Sequence, residues 1–157
     1  MTAGCRFCHV PVTGAYVDGE HLDGCAYLLP GAARAVEISF AQPPNHLTLN
    51  QRLYWAEKGR IVRAWRTVAG WNAVQHRGQP PSLVAVSLEV RGAMRRDPHN
   101  WFPTVKPIVD GLVDAGVWPD DTPQFVTTLE PRLVPVRRER WQPLWCAVVL
   151  IPRQETR

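Results

Sequence analysis

The chain has 157 residues, a hydrophobic content of 45% and a formal net charge of +4, with a pI near 9.2. That length holds one ordinary domain with room for a small appendage, and the apolar fraction is enough for a real core. The basic balance favours a polyanionic partner. No apolar run approaches a membrane span and no secretory apolar region opens the chain, so the expectation is a cytoplasmic protein with reduced thiols and no membrane partner.

Residues 1–33 read as a separate, irregular segment. Cys5, Cys8, His21 and Cys25 follow the pattern C-x2-C-x12-H-x3-C. This is the spacing of a four-ligand Zn2+ site, and a metal would close a stretch too short for its own core. The other reading is plain thiols beside a solvated His21. Cys146 lies in an apolar run and reads as core.

Residues 34–157 form the main domain. Val36, Ile38 and Phe40 alternate with polar neighbours until Pro43-Pro44, which predicts a strand with a hard end. Residues 51–75 form the longest helical candidate, with Asn50 or Thr48 as N-cap and Leu53, Ile61, Trp65, Val68 and Ala69 near one face. Arg52, Lys58, Arg60, Arg63 and Arg66 recur on the remainder against a single acid, Glu57. Such a face fits a DNA-backbone rail, and equally a solvated surface. Tyr54, Trp55 and Trp71 read as core or dimer contacts.

Residues 82–91 alternate apolar and polar and predict a central strand. It delivers the chain to Arg95-Arg96-Asp97-Pro98-His99-Asn100. A helix over 104–115 follows, with Thr104 as cap, Pro107 in its first turn and Gly116 as its stop. Lys106, Asp110 and Asp114 stand at i, i+4 and i+8 on one face. The turn Val117-Trp118-Pro119-Asp120-Asp121 is expected to bring an acidic pair back towards Asp97. Residues 124–130 and 144–151 read as the last two strands, joined as a hairpin by the basic link Arg137-Arg138-Glu139-Arg140. The fold class expected is α+β: a small mixed sheet of about four strands packed with two main helices, preceded by the candidate zinc knuckle.

Five acids between 97 and 121, set among cations, fit phosphodiester chemistry, in which carboxylates hold Mg2+ and cations accept phosphate. The run Asp97-x-x-Asn100, Lys106, Asp110-Gly111-Leu112, Ala115-Gly116-Val117-Trp118, Asp120-Asp121 resembles the core of the RusA family of Holliday junction resolvases. The usual family run is Asp-x-Asp-Asn, a helix carrying Lys and Asp, then Gly and an Asp-Asp pair. The likeness covers about residues 35–151, with a slightly longer insertion between Asn100 and Lys106.

Carried over by position, the resemblance implies Asp97 and Asp121 as Mg2+ ligands, Asp120 assisting, and Lys106 beside the scissile phosphate. Asp110 would orient Lys106 or reach the metal through water, and Asn100 would hold the loop. Arg52, Lys58, Arg60, Arg63, Arg66, Arg95, Arg96 and Arg138 are the candidate DNA contacts. His99 departs from the family, standing where the second Asp is usual; it is a metal ligand with a preference shifted towards Mn2+, a general acid or base, or a residue facing away. The resemblance further implies paired symmetric nicking of four-way junction DNA by a homodimer, leaving 5′ phosphate and 3′ hydroxyl ends. A phage or prophage setting is implied too, hence the host cytoplasm. Competing readings are a non-cleaving branched-DNA-binding module and a Mg2+-dependent nuclease acting on other branched DNA.

Overall fold

The structure is a computed structural model that describes residues 35–92 and 96–153. The candidate zinc ligands Cys5, Cys8, His21 and Cys25, and the candidate DNA contact Arg95, lie outside the described residues.

The strands are β1 (Val36–Ala41), β2 (Ser82–Arg91), β3 (Val126–Thr128), β4 (Arg132–Val136) and β5 (Trp145–Pro152). The helices are α1 (Trp55–Ala73) and α2 (Phe102–Asp114), with 3-10 turns at Val74–His76 and Pro98–Trp101. The order across the sheet is β1-β5-β2, with β3 and β4 following one another along the far edge of β2. β5 runs antiparallel to both neighbours, while β3 and β4 run parallel to β2. The sheet is therefore mixed and the class α+β, as the alternating patterns predict. In effect it has four ranks, the last broken at Leu129-Glu130-Pro131.

Period-two patterning sets the buried face. Register places Ile38, Val148 and Val86 in one row, and Phe40, Cys146 and Leu88 in the next. All six are buried, and the α1 and α2 stripes close over them in one core. Ile61, Trp65, Ala69 and Ala73 form the α1 stripe. Val105, Ile108, Val109 and Leu112 form that of α2. The Trp65 ring meets Phe40 edge-on at 6.4 Å. Its indole N–H donates to the Asn45 carbonyl at 2.7 Å, fastening the proline loop to α1. Buried Thr104 accepts from the Leu47 amide at 2.8 Å and donates to the Leu47 carbonyl at 2.7 Å. That satisfies both polar functions of its hydroxyl in a dry place.

Several local expectations are corrected. α1 begins after Tyr54 with no side-chain cap. Thr48 and Gln51 spend their polar groups on each other, the Gln51 side chain accepting from the Thr48 amide at 2.9 Å and the Thr48 carbonyl from the Gln51 amide at 3.2 Å. α2 starts at Phe102, so Thr104 is not its cap and Pro107 lies inside the helix rather than in its first turn. Pro107 would have donated to the carbonyl of Pro103, four residues back, and only that one bond is forgone. Tyr54, Trp55 and Trp71 are exposed, not core.

The predicted final hairpin does not form. β3 and β5 flank opposite edges of β2, and β4 intervenes in sequence. β4 carries Pro135 opposite Val90. A proline argues against a central strand but is tolerated on an edge.

Candidate functional site

The α2 face and the loop after it build one charged cluster. Lys106 and Asp110 lie one turn apart, so their side chains meet on the helix surface. The Lys106 ammonium is ion-paired with Asp110 and also with Asp121. Asp121 reaches it because α2 ends in a tight reversal. Gly116 takes φ +80°, its amide donates to the Val113 carbonyl at 2.8 Å, and the Val117 amide donates to that of Leu112 at 3.0 Å. This is the Schellman closure that a non-glycine residue would strain.

Beyond it, Val117 and Trp118 are buried, and the Trp118 indole donates to the Pro80 carbonyl at 3.0 Å. The amides of Gly78 and Gln79 donate to the Gly116 and Val117 carbonyls at 3.0 and 2.9 Å. Asp120 is exposed, and its carboxylate accepts from the Asp121 amide at 2.7 Å. So the loop is anchored at its start and displays the two acids at its end.

The charges reinforce one another. Hydrogen bonds to Asp110 and then Asp121 push the Lys106 ammonium above its usual range. The bond from Lys106 holds the Asp121 carboxyl below its own. All three side chains are accessible to solvent in part. The result is a cation fixed between two hard oxygen donors at the surface.

The first acid stands apart from this cluster. Asp97 precedes Pro98 and begins the 3-10 turn, where its carboxylate accepts from the His99 amide at 3.0 Å. No hydrogen bond or ion pair joins it to Lys106 or Asp121 among the described residues. The exposed His99 ring packs edge-on against Phe102 at 5.2 Å. Asn100 holds the loop through its backbone, its carbonyl accepting from the Leu49 amide at 2.9 Å. Among the described residues, no three His, Cys, Asp or Glu side chains are gathered as a ready metal cage.

The candidate DNA contacts divide into two kinds. Arg52, Lys58, Arg60 and Arg63 are exposed along α1 and the segment before it. Arg66 is instead paired with Asp114, its second nitrogen at 2.7 Å, which ties α1 to α2. Arg138 grips Glu89 in a two-pronged pair at 2.8 and 2.9 Å. Arg96 folds back to the Arg91 carbonyl at 3.2 Å, with its Nε buried and unpartnered.

Sequence reasoning gave no role to Glu89, Arg91 or Trp141. The available signal was two opposite charges at i and i+2 within a strand otherwise apolar on its other face, which predicts that both reach for something on one side.

No family model and no curated protein matches the chain. Among solved structures, it is similar at 14% identity and TM-score 0.37 to one described as a HypE-HypF complex, covering 81% of this chain and 35% of that one. A second, a hydrogenase maturation protein HypE, gives 14% identity and TM-score 0.31, over 96% of this chain and 40% of that one. The chain thus spans well under half the length of either structure, and a likeness at those TM-scores carries no argument about what it does.

Proposed function

We propose that the chain is a Mg2+-dependent, structure-selective endodeoxyribonuclease with a RusA-like domain, resolving four-way DNA junctions as a homodimer by paired symmetric nicks. The observation that carries this reading is the Lys106 ammonium held between Asp110 and Asp121. Two segments far apart along the motif meet there, in the pairing of cation and carboxylates that phosphodiester hydrolysis uses.

Asp110, Asp120 and Asp121 are not gathered as a ready cage, but their donor chemistry suits the metal. Asp110, Asp120 and Asp121 offer hard carboxylate oxygens at a wet surface, which suits Mg2+ and leaves positions for water and phosphate. Asp121 would hold the ion with Asp120 and Asp110 in support, and the bound ion would supply Lewis acidity and an acidified water. Lys106 stabilises the charge that builds on the phosphoryl oxygens as the phosphate comes to rest beside it. Asp110 keeps that ammonium aimed at the site. The exposed cations of α1 take neighbouring phosphates without reading sequence. Symmetric cutting of a four-way junction calls for two such sites related by a two-fold axis.

A second reading, a branched-DNA-binding module that does not cut, is favoured by one observation. The Asp97 carboxylate is spent on its own turn rather than joined to Asp121.

Cleavage of a labelled immobile four-way junction beside a matched linear duplex separates the two readings. It is run with Mg2+, Mn2+ or chelator, on wild type and Asp121→Asn. The expected result is paired nicks in the junction alone, abolished by chelator and reduced on the order of 100-fold or more in the variant. Tight junction binding with no cutting in either metal would overturn the nuclease reading.

A further inference from the structure

The link between β4 and β5 is built as a rigid mount for an exposed indole. The Gln142 amide donates to the Glu139 carbonyl at 3.0 Å, and the Gln142 side chain accepts from the Glu139 amide at 3.0 Å. Arg140 and Trp141 are therefore the two central residues of a closed β-turn. The Arg91 guanidinium, on β2, clamps that turn from beneath. One of its terminal nitrogens donates to the carbonyls of Glu139 at 3.3 Å and Arg140 at 3.2 Å, and to that of Gln142. On the next rung, Glu89 accepts from the Trp145 amide at 2.9 Å as well as from Arg138. Both ends of the link are fixed.

On this mount Trp141 is 80% exposed, more than any other large apolar side chain among the described residues. Arg137 and Arg140 are exposed beside it in the chain. An indole held in water by a preorganised turn has already lost its chain entropy, and two neighbouring cations select a polyanion over an apolar protein surface. Aromatic rings stack on any base, and arginines take the flanking phosphates.

We propose that this turn is a base-stacking platform: Trp141 receives the face of an unpaired or unstacked DNA base, while Arg137 and Arg140 engage the adjoining phosphates. The proposal rests on reading the chain as a DNA-binding protein and adds the feature by which it tells a branch from a continuous duplex. Strand exchange at a branch point leaves base faces open, whereas a linear duplex buries every face but those of its two terminal pairs. The platform sits at the same end of β2 as the Arg96-Asp97 corner, since Arg91 is opposite Val136 in the register.

The test uses the full chain with chelator present, so that binding is read apart from cleavage. Fluorescence anisotropy compares a four-way junction, a single-stranded 20-mer and a blunt linear duplex for wild type, Trp141→Ala and Trp141→Phe. Trp141→Ala is expected to weaken the junction and the single strand by roughly 5- to 150-fold, the range of one base–aromatic stack, and the duplex by less than twofold. Trp141→Phe is expected to recover most of the loss.

Unchanged junction affinity in Trp141→Ala, or an equal loss on all three DNAs, would overturn the platform. So would a change in sedimentation from dimer to monomer, which would make the turn a contact between copies. Selective loss in Trp141→Ala, beside a wild type that never cuts in the cleavage assay with Mg2+ or Mn2+, would sustain the platform and sink the nuclease instead.

Discussion

Gly111 sits where α2 crosses α1, one residue beyond Asp110, and there is no room for a methyl group at that crossing. A Cβ added to Gly111 would lie 2.3 Å from the Arg66 carbonyl oxygen, 3.0 Å from the Gly70 amide and 3.1 Å from the Ala69 Cβ. Carbon–oxygen contact needs about 3.3 Å, so roughly 1 Å must be found. Two of these atoms are backbone and the third is the rigid Cβ of an alanine, so no flexible side chain can swing away and the helices themselves must part. Overpacking of this kind costs about 3 kcal/mol, the upper part of its usual range. Alanine's better helix propensity returns about 1 kcal/mol. The net is a loss of about 2 kcal/mol, or a melting temperature lower by about 8 °C for a domain of this size.

Gly59 provides the contrasting substitution. It is exposed in α1 with nothing within 4 Å of the added Cβ, so Gly59→Ala gains about 0.5–1 kcal/mol. Thermal unfolding followed by circular dichroism, with both variants in one buffer, should show opposite shifts from the same chemical change. Gly111→Ala melting at or above wild type would refute the close approach of the two helices. It would also remove the reason for the rigid placement of Lys106 and Asp110.

Other expectations concern charge. His46 stacks on Trp101 at 4.2 Å, and burial, then the nearby Arg96 charge, holds its imidazole below the usual histidine range. The unfolded chain therefore takes up the proton first, and the His46 contribution is complete above about pH 6.5 and lost as pH falls through the lower folded value. Melting temperature from pH 7.5 to 5 should fall more steeply for wild type than for His46→Gln; equal slopes would exclude His46 as the cause. Asp114 and Asp121 are held below the carboxylate range, so their losses belong below about pH 4 and do not overlap this window. Arg66 and Asp114 are each about half exposed, so Asp114→Asn should cost only about 0–1 kcal/mol of stability. The same change releases Arg66 and should tighten duplex binding at low salt, measured by anisotropy; no gain would take Arg66 off the phosphate path.

The fold was legible where one local period decides the outcome. β1 and β2 bury alternate side chains, β5 is a continuous apolar run buried through Val148–Pro152, and the α1 and α2 stripes recur at helical spacing, so neighbouring residues alone announced them. Pairing is another matter. The basic link at 137–140 reads as a hairpin because strands close in sequence often pair. Here β4 consumes the span before it and docks parallel on β2, an arrangement only the completed sheet dictates. Pro135 concealed that strand, since whether a missing N–H matters depends on which edge faces outward.

Within the candidate site, Lys106 and Asp110 follow from i, i+4 spacing, and Gly116 marks the reversal that returns Asp121 to them. Asp97 was expected in the same cluster, and the local chemistry around Pro98 explains why it is elsewhere. An Asp before a proline turn finds an acceptor's partner in its own backbone two residues on, and that bond costs no loop closure. That bond is itself charge-assisted, an amide donating to a carboxylate, so it competes on equal terms with any partner Asp97 could find in the Lys106–Asp121 cluster, and sequence order alone cannot say which wins.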